Sequence, residues 1–151
     1  MTETDVAGGG PVKMVSATTW IDAAPMTVWA ILTDLSRYQD WNPLFREAAG
    51  DIVVGRRIFL RSFPAGGRPM TLRPTITAAT AGTELGWAAR LPGIIGGEHR
   101  FTLRPGNGGT LVVQSETFRG LLVPFSGKAM DRAETSFQAL NGALKARAES
   151  R

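Results

Sequence analysis

The sequence predicts an α+β domain: a curved antiparallel sheet of about seven strands wrapped around one long C-terminal helix, with two short helices after the first strand. Three observations carry this. Helical periodicity is confined to the two ends of the chain, near residues 25–41 and 128–149. Between them, β-branched and apolar residues recur in short alternating runs. Gly- and Pro-rich turns separate those runs, as a meander of consecutive strands requires.

Residues 1–11 are polar and glycine-rich and are expected to form a flexible leader, leaving one domain over 12–151. The run KMVSATTWID from Lys13 is β-branched and semi-alternating, the first strand. It ends in Ala-Ala-Pro, where Pro25 suits the first position of a helix because an N–H there would find no helical partner. Val28, Trp29 and Leu32 then share one helical face. Asp34 is placed to start a second short helical piece through Tyr38 and Trp41, which Asn42-Pro43 stops. Strands are expected at 45–49, 56–63, 70–78, 83–91, 97–104 and 110–119, with turns at 50–55, PAGGRP, TAG, PGIIGG and GNGG. Beyond Phe125 the period changes, and Met130, Ala133, Phe137, Leu140 and Leu144 recur at three and four. One helix over 128–149 follows, roughly 33 Å long at the α-helical rise.

Composition narrows the chemistry. The chain has 151 residues, 43% of them hydrophobic, and a domain of that size hides roughly 68% of its extended surface, enough for a solid core or a core with a pocket. With no cysteine, thiol nucleophiles, disulfides and zinc ribbons are excluded. One histidine makes a multi-histidine metal site hard to build, and neither a metal nor a cofactor is expected. The net charge of +4 comes from basic residues scattered from Lys13 to Arg151, with no run longer than Arg56-Arg57 and no interleaved aromatics. Nucleic acid is therefore not expected as a partner. No window approaches the roughly 18 apolar residues of a membrane span, and the first ten residues have no signal-peptide pattern, so a cytoplasmic protein without integral membrane association is expected.

The segment ATTWIDAAPMTVWAILTDLSRYQDWNPLF resembles the opening of the START-like, helix-grip superfamily (SRPBCC). Ile21, Ala23, Pro25, Val28 and Trp29 meet its Ile-x-Ala-x-Pro-x-x-Val-Trp pattern, and Tyr38, Trp41, Asn42 and Pro43 its Tyr-x-x-Trp-Asn-Pro. The blocks GEHRF (Gly97–Phe101) and ETFRGLLVP (Glu116–Pro124) are similar to a bacterial polyketide cyclase/dehydrase-like branch, so the resemblance covers about residues 13–149. It implies a hydrophobic cavity between sheet and helix. It names no substrate, because this fold carries many unrelated functions.

Hairpin arithmetic locates the candidate chemistry. A loop centred on Asn107-Gly108 pairs positions whose numbers sum to 215, setting His99 opposite Glu116, Phe101 opposite Gln114, Leu103 opposite Val112 and Gly97 opposite Phe118. Alternation puts these on the concave side, with Glu98, Arg100, Thr102 and Arg104 outside. His99 and Glu116 then read either as an acid–base pair acting on a bound carbonyl compound, with Arg61 or Gln114 orienting it, or as two polar groups satisfying each other. In an up-and-down meander the connections 64–68, 92–96 and 120–127 gather at one end. They are unusually apolar, with Pro64, Ile94, Ile95, Leu121, Leu122, Val123 and Phe125. These form either a ligand mouth hinged at Gly66-Gly67 and Gly96-Gly97, or a plug or homodimer contact.

Alternation also nominates the walls: Met70, Leu72 and Ile76 on one strand, Leu85, Trp87 and Ala89 on the next, and Met130, Phe137 and Leu140 on the helix. Trp41 and Phe45 are placed to close a side. Arg73, Arg90, Arg100, Arg104 and Arg119 fall on the outer face, either as a solvated surface or as a basic stripe. Arg61 alternates so that either direction is open, and an inward Arg61 would anchor a ligand carboxylate. Three functions follow: binding of a small hydrophobic or amphipathic, lipid- or polyketide-like molecule; a metal-free polyketide cyclase/dehydratase-type enzyme using His99 and Glu116; and a protein-interaction module of the chaperone-ATPase-activator type.

Overall fold

The computed structural model describes residues 11–91, 95–120 and 123–150, with the backbone alone for Leu91 and Ile95. β1 (Val12–Ile21) buries Ile21 and leads to α1 (Pro25–Thr33), which starts at Pro25 and buries Val28, Ile31 and Leu32. A 3-10 turn at Leu35–Arg37 joins α1 to α2 (Tyr38–Trp41). Tyr38 is fully buried, and its hydroxyl donates to the Leu32 carbonyl at 2.6 Å. Burial pushes its phenol upward from the ordinary value, and the Asp34 carboxylate adds to the shift. Asn42 ends the helix because the residue before a proline prefers extended backbone. Its buried Oδ1 accepts from the N–H groups of Leu44 (2.9 Å) and Phe45 (2.8 Å), which turns the chain into β2 (Phe45–Ala49).

The remaining strands are β3 (Phe59–Ser62), β4 (Met70–Leu72), β5 (Thr75–Thr80), β6 (Glu84–Leu91), β7 (Ile95–Gly106) and β8 (Gly109–Arg119). They form a five-stranded sheet in the order β1-β8-β7-β6-β5 and a three-stranded sheet β2-β3-β4, all antiparallel. The β7–β8 hairpin has the predicted register, with His99 opposite Glu116 and Gly97 opposite Phe118. Asn107 (φ 48°) and Gly108 (φ 78°) both take the left-handed conformation of a two-residue turn.

The strand expected over 70–78 is two strands in different sheets. Pro74 has no N–H to offer a neighbour, and its carbonyl accepts from Ile58 N–H at 2.9 Å. The pairing of Leu60 with Leu72 continues to the Arg57–Thr75 bridge, so the two sheets stay joined there. Past the kink β5 runs beside β6, from Thr75–Ala88 to Thr80–Glu84, whereas β4 diverges from it. Gly96 and Gly97, expected as hinge residues, lie inside β7 with strand partners on both sides.

α3 (Gly127–Glu149) follows a 3-10 turn at Val123–Phe125 and packs its buried residues, Phe137, Leu140, Asn141 and Leu144 among them, against the concave face. Its 23 residues span about 34 Å, enough to cross the sheet. This is the helix-grip arrangement. No helix among the described residues is long and apolar enough to cross a membrane.

Candidate functional site

The concave face carries an aromatic cluster built around the one histidine. The His99 ring stacks on Trp87, with centroids 5.3 Å apart and planes 13° from parallel. Phe45, Phe101 and Phe137 meet it at 5.6, 5.0 and 4.9 Å. β2, β6, β7 and α3 thus each contribute one side of a cage. His99 is 2% exposed, and a polar ring that deep needs a partner on each nitrogen.

Both partners are present, and they determine where the ring's proton sits. Asn141 Nδ2 donates to the Ala17 carbonyl at 3.0 Å, so its Oδ1 turns toward Gln114. Gln114 Nε2 donates to that Oδ1 at 2.8 Å and to the Phe137 carbonyl at 3.1 Å. Its oxygen is left facing His99 Nε2 at 2.9 Å. An amide oxygen only accepts, so His99 Nε2 carries hydrogen and donates. His99 Nδ1 faces Glu116 Oε1 at 3.0 Å, and one proton must lie between them, either on the ring or on the carboxyl.

Glu116 is the member of the pair that reaches the open space. Its side chain is 22% exposed, and Oε2 has no hydrogen-bond partner among the described residues. Gly97 makes room for it: a Cβ there would lie 2.6 Å from Glu116 Oε2. The carboxylate therefore rests across the strand at a position only glycine leaves open.

That space is a cavity of about 240 Å³ between sheet and helix. Phe45, Leu72, Trp87, Phe118 and Phe137 form its apolar walls, and His99 and Glu116 its polar edge. On α3 the lining is Ala129, Arg132, Ala133, Ser136 and Phe137, and the small side chains at 129, 133 and 136 fall on one helical face. Their missing volume is what keeps the helix from filling the space. Ser136 Oγ donates to the Arg132 carbonyl (2.7 Å) and accepts from Ala65 N–H (2.9 Å), which ties the 64–67 turn to the helix. Pro64, Gly67, Arg68 and Arg132 stand at this opening. Among the described residues no three His, Asp or Glu side chains converge as metal ligands would.

Of the residues singled out in the sequence, His99, Glu116, Phe45, Met70, Leu72, Trp87, Phe118 and Phe137 line the cavity. Four do not. Trp41 stands on α2, edge-on to Tyr38 at 5.4 Å, and packs against the core beyond the cavity. Phe101 lies beneath His99 and is 1% exposed, a floor under the ring. Met130 is buried one position away from the small-residue face of α3 that borders the space. Gln114 cannot orient a ligand carbonyl, because its oxygen and its nitrogen are both engaged within the protein. Arg61 points to the outer face of the small sheet, since β3 buries Leu60 and Ser62 instead. There it donates to Thr71 Oγ1 at 2.9 Å and lies 5.9 Å from the Phe63 ring. The Ile95 side chain lies outside the described residues, as do Ile94, Leu121 and Leu122. Sequence reasoning overlooked Ser62, Arg68, Arg132, Ala133 and Ser136; the spacing of small residues on α3 was the available signal for the helical ones.

The comparisons with known proteins agree with this geometry. Residues 13–149 match the model of the family described as polyketide cyclase / dehydrase and lipid transport. No curated protein matches the sequence. A START superfamily protein from Mycobacterium smegmatis is 21% identical, with a TM-score of 0.73 over 91% of this chain and 97% of its own. The Ara h 8.0201 structure is 13% identical, with a TM-score of 0.72 over 93% of this chain and 99% of its own. The di-domain ARO/CYC StfQ from the steffimycin biosynthetic pathway is 15% identical, with a TM-score of 0.73, and the match spans 93% of this chain and 52% of StfQ. At these identities the likeness is one of fold. Taken with the family match over nearly the whole domain, it leads to one statement of membership: the chain belongs to the polyketide cyclase/dehydrase and lipid-transport family, with a START-like helix-grip fold.

Proposed function

We propose that the protein binds a small apolar or amphipathic molecule in the cavity between the sheet and α3. The observation that carries this is a space of about 240 Å³ with mainly apolar walls, the His99–Glu116 pair at one edge and Arg68 and Arg132 at its opening. A volume just below the roughly 300–1,000 Å³ of drug-sized sites suits a ring system or short chain. Two measurements test it: native mass spectrometry of the purified protein for a co-purifying apolar molecule, and titration with the neutral dye Nile red. Binding should raise dye fluorescence and be lost when Ala133→Trp fills the cavity. An empty protein that ignores the dye would end this reading.

A second reading has its own support. Glu116 Oε2 is free to take a proton from a bound ligand, while His99, held by Gln114, keeps the compensating charge. Proton abstraction next to a carbonyl is the first step of an aldol cyclisation or a dehydration. For any compound turned over, Glu116→Gln should cut kcat by at least about 100-fold with ligand affinity retained. Turnover surviving that change removes the pair from the chemistry.

A further inference from the structure

We infer a second subsite, outside the cavity at the seam between the two sheets, that receives the head group of an amphipathic monoanion whose apolar tail occupies the cavity. It rests on the ligand-binding reading above.

The seam follows from the Arg73-Pro74 kink. β4 pairs with β3 alone, and β6 beyond Ala88 pairs with β7 alone. Met70–Leu72 and Ala89–Leu91 thus border a gap that no strand among the described residues bridges. Over it lies an outer groove of about 920 Å³. Its floor is low because Ala88, Ala89, Gly96 and Gly97 carry almost no side chain.

The groove is strongly basic. Arg57, Arg73, Arg90 and Arg119 line it, against one carboxylate, Glu98. Glu98 is already engaged: it accepts from Arg100 Nη2 at 2.6 Å and from Thr77 Oγ1 at 3.1 Å, and Arg100 also pairs with Glu84. Arg57 donates from Nε to the Arg73 carbonyl at 3.1 Å, and the Arg73 guanidinium lies over the Phe59 ring at 5.3 Å. Neither these two nor Arg90 has a carboxylate partner among the described residues. Guanidinium groups in a fork geometry suit a carboxylate or phosphate head.

Groove and cavity share a wall, since Met70, Leu72, Ala89 and Gly97 line both. A ligand too long for about 240 Å³ can therefore emerge between the sheets. Its charge belongs outside, because an anionic head inside would face Glu116 Oε2. The other opening offers only Arg68 and Arg132.

The test is displacement of Nile red by decanoate and by decanol, which share a tail and differ in head charge. Wild-type protein should release the dye at a roughly tenfold lower concentration of decanoate, with the difference shrinking at high salt. In the Arg73→Ala/Arg90→Ala double variant, decanoate should fall to the level of decanol, and unchanged decanol displacement shows that the fold and cavity are intact. Gly96→Trp, whose new side chain starts in open space, should abolish the preference by occupying the groove. Equal displacement in wild type, a preference that survives in the double variant, or one lost only in Arg68→Ala/Arg132→Ala would overturn the seam subsite while leaving cavity binding standing. Failure of the dye and both amphiphiles to bind would overturn both.

Discussion

Replacing Gln114 by leucine removes the link that sets the proton on His99. The side chain is fully buried and makes three hydrogen bonds, to His99 Nε2, the Phe137 carbonyl and Asn141 Oδ1. Leucine nearly matches the volume, so the cost lies in polar groups left facing methyls. His99 Nε2–H and Asn141 Oδ1 lose their partners, and each such buried group costs about 1–3 kcal/mol. With part of that offset by apolar burial, a loss of about 3 kcal/mol is expected. At about 2–4 °C per kcal/mol for a chain of this size, Tm should fall by about 6–12 °C in calorimetry. The chain contains one histidine, so nitrogen-detected ring correlations in NMR report His99 alone. In wild type the ring should carry its hydrogen on Nε2, facing the Gln114 oxygen. In Gln114→Leu the neutral ring is free to adopt the other tautomer, donating from Nδ1 to Glu116. A wild-type spectrum with a bare Nε2, or a variant destabilised by less than about 0.5 kcal/mol, would refute the hydrogen-bond chain.

Gly97→Ala should loosen the His99–Glu116 pair at a cost of at most about 1 kcal/mol, because the new methyl would sit 2.6 Å from Glu116 Oε2, the end of a side chain that can swing aside. Gly96→Ala next to it meets nothing within 4 Å and should be close to neutral, so comparing the two by thermal denaturation isolates the contact. Tyr38 is the chain's one tyrosine, so its phenolate absorbance can be followed alone. With its folded value raised, it favours the folded state fully below the ordinary phenol value of about 10, and that contribution drains away as pH climbs above it. Alkaline unfolding should therefore be shallower in Tyr38→Phe, which also loses about 1–2 kcal/mol at neutral pH with the bond to Leu32. Asn42→Ala, which frees the N–H groups of Leu44 and Phe45, should cost about 1–3 kcal/mol by denaturant titration.

Local rules carried the fold further than the site. Pro25 at the start of α1, the stop at Asn42-Pro43 and the turn at Asn107-Gly108 each follow from backbone constraints of a few adjacent residues. That turn alone put His99 opposite Glu116. The strand break at Pro74 was signalled by the proline itself, but alternation through Met70, Leu72 and Ile76 concealed it. Arg61 was ambiguous because both of its strand's faces are half apolar, and only the neighbours of β3 chose the inner one. Gln114 was correctly placed on the inner face but given the wrong task. The groups that occupy it belong to α3, far away in sequence.

By itself the sequence determined the order of elements, the register of the last hairpin and the meeting of the single histidine with a glutamate. These depend on alternation, turn geometry and helical period, which act within about a dozen residues. The tertiary structure alone decided which nitrogen of His99 carries hydrogen, that Glu116 is the more exposed of the two at the cavity edge, and that the arginines gather along a seam. Those outcomes depend on how α3 crosses the sheet and how two sheets part at a kink. Such long-range packing fixes the partners of each buried polar group, and no spacing along the chain records it.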